Sequence, residues 1–69
     1  MKNYKISVLI PCYNEEVVIV ETYNRLINVM KKNNFNDYEL LFIDDGSKDN
    51  TVKIIYELSE KDPNVKLII

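Results

Sequence analysis

Three short apolar runs, separated by two stretches of helical period, constrain this chain more than any other feature. The runs are KISVLI at 5–10, YELLFID at 38–44 and VKLII at 65–69. Each is rich in β-branched, aromatic or other apolar residues of the kind that suits a pleated, buried surface. No unbroken apolar stretch exceeds four residues, far short of a membrane span. The first run is expected to be buried on both faces, as strands of parallel sheets are. Pro11 is expected to close it, because proline cannot donate to a ladder.

Between the runs the period changes. Val20, Tyr23, Leu26, Ile27 and Met30 recur at helical spacing, with Val17 and Ile19 adding to the apolar side. Asn14 is the N-cap candidate; Glu15 and Glu16 suit the positive end of that helix, and Lys31 and Lys32 its negative end. Asn33 to Asp37 is a polar loop. After the second run, Asp49, Asn50 or Thr51 can cap a helix whose face is Val52, Ile55, Tyr56 and Leu58–Ser59, and which Pro63 stops. The expected order is β-α-β-α-β, an α/β arrangement of three parallel strands with right-handed crossovers. That is half of a doubly wound, Rossmann-like nucleotide-binding sheet.

The chain is short for such a sheet. Its 69 residues are fewer than an average domain holds, and a core of this size is marginal without a staple. Cys12 is the single cysteine and histidine is absent, which rules out an internal disulfide and disfavours zinc. A net charge of −2 makes no electrostatic case for nucleic acid. Met1 to Lys5 leads into too short an apolar run for a secretory signal, and a lone thiol fits a reducing cytoplasm. The last residues, VKLII, form an apolar run of strand type that needs something to pack against. The expectation is therefore a piece of a longer protein, with residues 1–69 an incomplete domain.

Fold analogy supplies no function, so the loops must. In open α/β sheets ligands bind beyond the carboxyl ends of the strands. Two such ends carry unusual residues: PCYNEE at 11–16 and DDGSKDNT at 44–51. If their strands are neighbours, the loops sit side by side and offer an aromatic ring, several acceptors and a helix N-terminus. Most members have plain structural readings as well. Tyr13 reads as readily as a half-buried aromatic, Glu15 and Glu16 as dipole complements, Asp49 and Thr51 as caps, Gly46 as a turn residue and Cys12 as a space-filler. The pair Asp44–Asp45 resists that treatment, because adjacent carboxylates at the end of an apolar strand repel and lose solvation unless something uses them. DDGSKDNT lacks the alternate acids of an EF-hand loop. One glycine in the chain is too few for a phosphate-cradling loop. Ile43 stands where a haloacid-dehalogenase-type phosphatase needs its nucleophilic acid. A receiver domain places its acidic pair after the first strand, and PCYNEE is no GxGxxG. What remains is an acceptor that reads donor groups on a base or a sugar.

The two segments ISVLIPCYNEE and YELLFIDDGSKDNT resemble the start of family 2 glycosyltransferases of the GT-A fold, over essentially residues 5–69. The version with NEE and DDGSxDxT is most similar to the polyprenyl-phosphate branch, which includes dolichol-phosphate mannose synthases and undecaprenyl-phosphate sugar transferases. The resemblance implies a strand order of 3-2-1 and a nucleotide site at the strand ends. Pro11, Tyr13 and Glu15 would line base and ribose, with the Tyr13 ring on the base. Asp45 would accept from a base N–H with Ile43 beside it, while Asp44 would organise the loop or help at the ribose. The family's metal-binding DxD, its acceptor site and its catalytic residues would lie past Ile69, so this chain would hold neither catalytic residue nor metal ligand. In the full protein the implied partners are a nucleotide-sugar donor and a polyprenyl phosphate at the cytoplasmic face of the membrane. The implied cofactor is Mg²⁺ or Mn²⁺ against the diphosphate leaving group.

A second reading from the residues stays open, a non-catalytic α/β module of receiver-like or partner-binding kind. The isolated chain is also expected to self-associate. In the order 3-2-1 the run at 6–10 is a sheet edge without charge or proline, a template for pairing with a copy.

Overall fold

A computed structural model describes residues 5–69. Met1 to Tyr4, the start of the segment read for a secretory signal, lie outside the described residues. The elements are β1 (Ile6–Cys12), α1 (Ile19–Lys32), β2 (Tyr38–Asp44), α2 (Thr51–Lys61) and β3 (Val65–Ile68). All three strands run parallel in one sheet, ordered β1-β2-β3, which is the expected 3-2-1 order read from the opposite edge. Residues Ile6 to Cys12 of β1 stand opposite Tyr38 to Asp44 of β2, without a bulge.

Both helices pack on one face of the sheet. Cys12, Leu40, Phe42 and Val65 bury their side chains there against Ile19 of α1 and Ile55 of α2. Val8, Ile10, Tyr23, Leu26, Ile27, Ile54, Leu58 and Leu67 pack around that centre. Two crossovers that step in the same direction along a sheet bring their helices to the same side. The strands consequently alternate, and this corrects the expectation of burial on both faces. Leu9 is 63% exposed, and among the described residues nothing covers the face shared by Leu9, Pro11, Leu41, Ile43 and Ile68.

Pro11 does not close β1. It lies inside the strand, opposite Ile43. Ile6 N–H donates to Asp37 O, and Cys12 O accepts from Asp45 N–H, so the even-numbered residues of β1 direct their backbone groups at β2. The missing N–H of Pro11 therefore falls on the free edge, where a strand tolerates proline.

Two helix boundaries also depart from expectation. Asn14 is not an N-cap: it adopts φ 49°, and α1 starts five residues later with Val18 as cap and no capping side chain. A turn at Glu15–Val18 intervenes, in which Glu15 O accepts from Val18 and Ile19 N–H. Glu15 and Glu16 thus precede the helix, and Glu21 is the acid of its first turn. Val17 projects from that turn and is 92% exposed, so it does not join the apolar face. At the far end Lys31 and Lys32 occupy the last turn. There Asn34, at φ 58°, closes a Schellman motif through Asn34 N–H to Lys31 O and Phe35 N–H to Met30 O. In α2, Ile54 packs toward the core and Tyr56 is exposed, which rotates the buried face one residue from the expected one. Asp62, held extended by the following Pro63, ends that helix.

Candidate functional site

Parallel pairing brings the ends of β1 and β2 to the same edge of the sheet. Cys12 and Asp44 form the last register pair, and Asp45 N–H donates to Cys12 O at 3.0 Å. PCYNEE and DDGSKDNT therefore leave the sheet side by side, as two neighbouring parallel strands require. Pro11 and Ile43 are register partners on the uncovered face, Pro11 exposed and Ile43 half-buried. Tyr13, the next residue beyond Cys12, is 52% exposed, and Glu15 is half-buried.

The two adjacent acids have different surroundings. Asp44 points into the helix-covered face and is buried. Its Oδ2 accepts from Gly46 N–H and Ser47 N–H, each at 3.0 Å, and its Oδ1 accepts from the Ser47 hydroxyl. The Ser47 hydroxyl first, with the backbone N–H groups, holds this carboxyl below the usual aspartate range. Gly46 sits at φ 82°, and a Cβ built on it would meet nothing within 4 Å. Glycine suits this turn for its left-handed backbone rather than for a close approach. Asp45 is exposed, and among the described residues its carboxylate makes no hydrogen bond.

Hydrogen bonds join the two loops across more than thirty residues of sequence. Asn14 N–H donates to Ser47 Oγ at 2.9 Å, and Asn14 Oδ1 accepts from Lys48 N–H at 2.7 Å. Glu15 N–H donates to Thr51 Oγ1 at 2.8 Å, and Glu16 N–H to Asp49 Oδ2 at 3.2 Å. The Thr51 hydroxyl and N–H both donate to Asp49 Oδ1, at 2.5 and 2.9 Å. These bonds, led by the Thr51 hydroxyl, also lower the Asp49 pKa. Glu16 in turn accepts from the Asn50 N–H and side-chain amide at 3.4 and 3.3 Å. Asn50 is the N-cap of α2, without a capping side-chain bond; Asp49 and Thr51, expected as caps, are cross-loop partners instead. Asn14 and Ser47 were not singled out by sequence as partners at all. A run of small polar residues signals hydrogen bonding to some backbone, but the partner lies on another loop and has no local trace.

Cys12 is fully covered, and its thiol donates to Ile10 O at 3.3 Å. Burial first, then the charges of Glu15 and Asp44, push its pKa up to about 11, so it is a packing residue and not a nucleophile. Among the described residues no three Asp, Glu, Cys or His side chains gather as a metal site would need. No described helix is long and apolar enough to cross a membrane.

Residues 7–69 match the family model described as glycosyl transferase family 2. The chain is 51% identical over 67 residues to an uncharacterized glycosyltransferase of Bacillus subtilis (strain 168), covering 97% of this chain and 20% of that protein. It is 35% identical over 72 residues to the dolichyl-phosphate beta-glucosyltransferase of Dictyostelium discoideum, covering 96% and 22%. Against the dolichol-phosphate mannosyltransferase of Pyrococcus furiosus it is 42% identical over 64 residues, covering 93% and 17%. The chain spans about a fifth of the length of these curated relatives.

Proposed function

The chain belongs to glycosyl transferase family 2, and from that premise we propose that its paired loops hold the nucleotide of a sugar donor. The observation that carries this reading is the contrast between the two acids. Asp44 is enclosed by its own loop, whereas the exposed carboxylate of Asp45 stands free beside it. A carboxylate accepts only, so it suits the N–H donors of a nucleobase. Pro11 and Ile43 flank it, Tyr13 offers a ring to stack on the base, and Glu15 reaches the ribose. Asp44 keeps the loop in shape rather than touching the ligand.

The complete protein, on this reading, transfers a sugar from a nucleotide-sugar to a polyprenyl phosphate at the cytoplasmic face of a membrane. Relatives named for dolichyl-phosphate and dolichol-phosphate transfer support that acceptor class. A divalent cation, Mg²⁺ or Mn²⁺, would neutralise charge on the diphosphate leaving group. Among the described residues no three Asp, Glu or Cys side chains gather to hold it. The family match over residues 7–69 favours this reading over a non-catalytic module. We further propose that the 69 residues by themselves self-associate.

The test is Asp45→Ala in the full-length gene product, with donor KM as the readout. Losing one hydrogen-bonded anchor costs about 1–3 kcal/mol, so donor KM should rise at least several-fold. An unchanged KM would overturn the assignment.

A further inference from the structure

We propose that Thr51 and Asn14 are positioning residues of the nucleotide site, holding the loop that carries Tyr13 and Glu15 in register with the one that carries Asp45. The inference rests on the nucleotide reading above and extends it to residues that never touch the ligand. Tyr13 and Glu15 lie on a segment without regular structure, between the end of β1 at Cys12 and the turn at Glu15–Val18. A ring and a carboxylate on such a segment bind well only if its backbone is fixed before the ligand arrives.

The fixing comes from the other loop. Thr51 is fully buried, and its hydroxyl takes part in two bonds: it accepts from Glu15 N–H at 2.8 Å and donates to Asp49 Oδ1 at 2.5 Å. Asp49 also receives Thr51 N–H and Glu16 N–H. Every proton directed at Asp49 comes from a donor, so only an acceptor without protons of its own satisfies all three. Asn14 latches the preceding residues. Its N–H reaches Ser47 Oγ, and its Oδ1 takes Lys48 N–H at 2.7 Å. Tyr13 lies between Cys12, whose carbonyl holds Asp45 N–H, and this Asn14 latch. Glu15 is held directly by Thr51. The donor-binding groups are therefore spaced by the DDGSKDNT loop and not by α1, which begins only at Ile19.

The experiment measures nucleoside diphosphate affinity by calorimetry on the full-length gene product, with UDP, GDP, CDP and ADP as probes in MgCl₂ and the tightest carried forward. Thr51→Val keeps the shape and removes the hydroxyl; Thr51→Ser keeps the hydroxyl. Asn14→Gly keeps the positive-φ backbone accessible and removes the Lys48 acceptor at an exposed position. Thr51→Val should raise Kd about fivefold or more, the loss expected for one ordinary hydrogen bond. Thr51→Ser should restore it to near the parent value, and Asn14→Gly should weaken binding in the same direction. A merely structural role would lower the melting temperature of Thr51→Val while its folded fraction kept the parent Kd, and that result overturns the inference. If Thr51→Val does not fold, Asn14→Gly decides, and an unchanged Kd there counts against the proposal. Asp45→Ala separates the two levels. Weakened binding in Asp45→Ala beside parent affinity in the positioning variants leaves the nucleotide site standing and removes only their role. Unchanged binding in Asp45→Ala, or no binding of any probe by the parent, removes both.

Discussion

Asp44 and Asp45 are adjacent, yet strand alternation sends one under the helices and leaves the other in solvent. The three donors around Asp44 stabilise its ionised form, so its folded pKa lies below the ordinary 3.8. A depressed carboxylate contributes stability that is complete above the unfolded value and lost as pH falls through the folded one. Asp44→Asn should therefore be less stable than the parent at neutral pH and lose less on acidification below about pH 4. Denaturant melts at neutral and acid pH check this; parallel losses in both proteins would contradict it. Gly46 gives a second test at the same turn. An alanine would clash with nothing, but at φ 82° a left-handed L-residue costs about 1–2 kcal/mol. Gly46→Ala should lose about that much in a denaturant melt, and an unaltered midpoint would show that the turn relaxes.

Among the elements, the two helices are tied to each other as well as to the sheet. Tyr23 of α1 donates its hydroxyl to Asp62 Oδ2 at 2.6 Å, at the end of α2. Burial first, then the bond and the negative charge of Asp62, raise the phenol from 10 to about 12. A raised pKa of this sign means the contribution is complete below the unfolded value near 10 and fades as pH climbs through about 12. Ultraviolet titration should show a tyrosinate step near pH 12 that Tyr23→Phe abolishes. Amplitude lost near pH 10 rather than near pH 12 in that variant would mean that the clamp does not form. The helix starts were less legible than the strands for a related reason. VVIV at 17–20 reads as the opening of an apolar helix face. The cross-loop bonds at Glu15 and Glu16 instead hold the chain in a turn, and Val17 is left outside.

For the whole molecule, one covered face and one bare face set the behaviour of the 69 residues as a polypeptide. Leu9 at 63% and Ile68 at 44% exposure lie on the bare side, with Leu41 and Ile43 half-covered between them. The edge of β1 also has no partner strand on its outer side among the described residues, although Pro11 takes one donor away from that edge. Bare apolar sheet surface and a free edge both favour association. Light scattering on the isolated chain should give a mass that grows with concentration, with slowed amide exchange at Ser7 and Leu9 in the associated form. A monomer at high concentration with fast exchange at those amides would contradict this.

The sequence by itself determined the element order, the bounds of β2 and the two unusual loops that follow the first two strands. All of these follow from periodicity and from glycine and proline, which act within a few residues of themselves. Tertiary structure alone decided which face of the sheet is covered, where α1 begins, and that Asp44 serves its own loop while Asp45 does not. It also turned Asn14, Asp49 and Thr51 from local caps into bonds between loops. The start of α1 and the bonds between the loops depend on partners more than thirty positions away in the chain, brought near only once β1 and β2 pair in parallel and end level at Cys12 and Asp44.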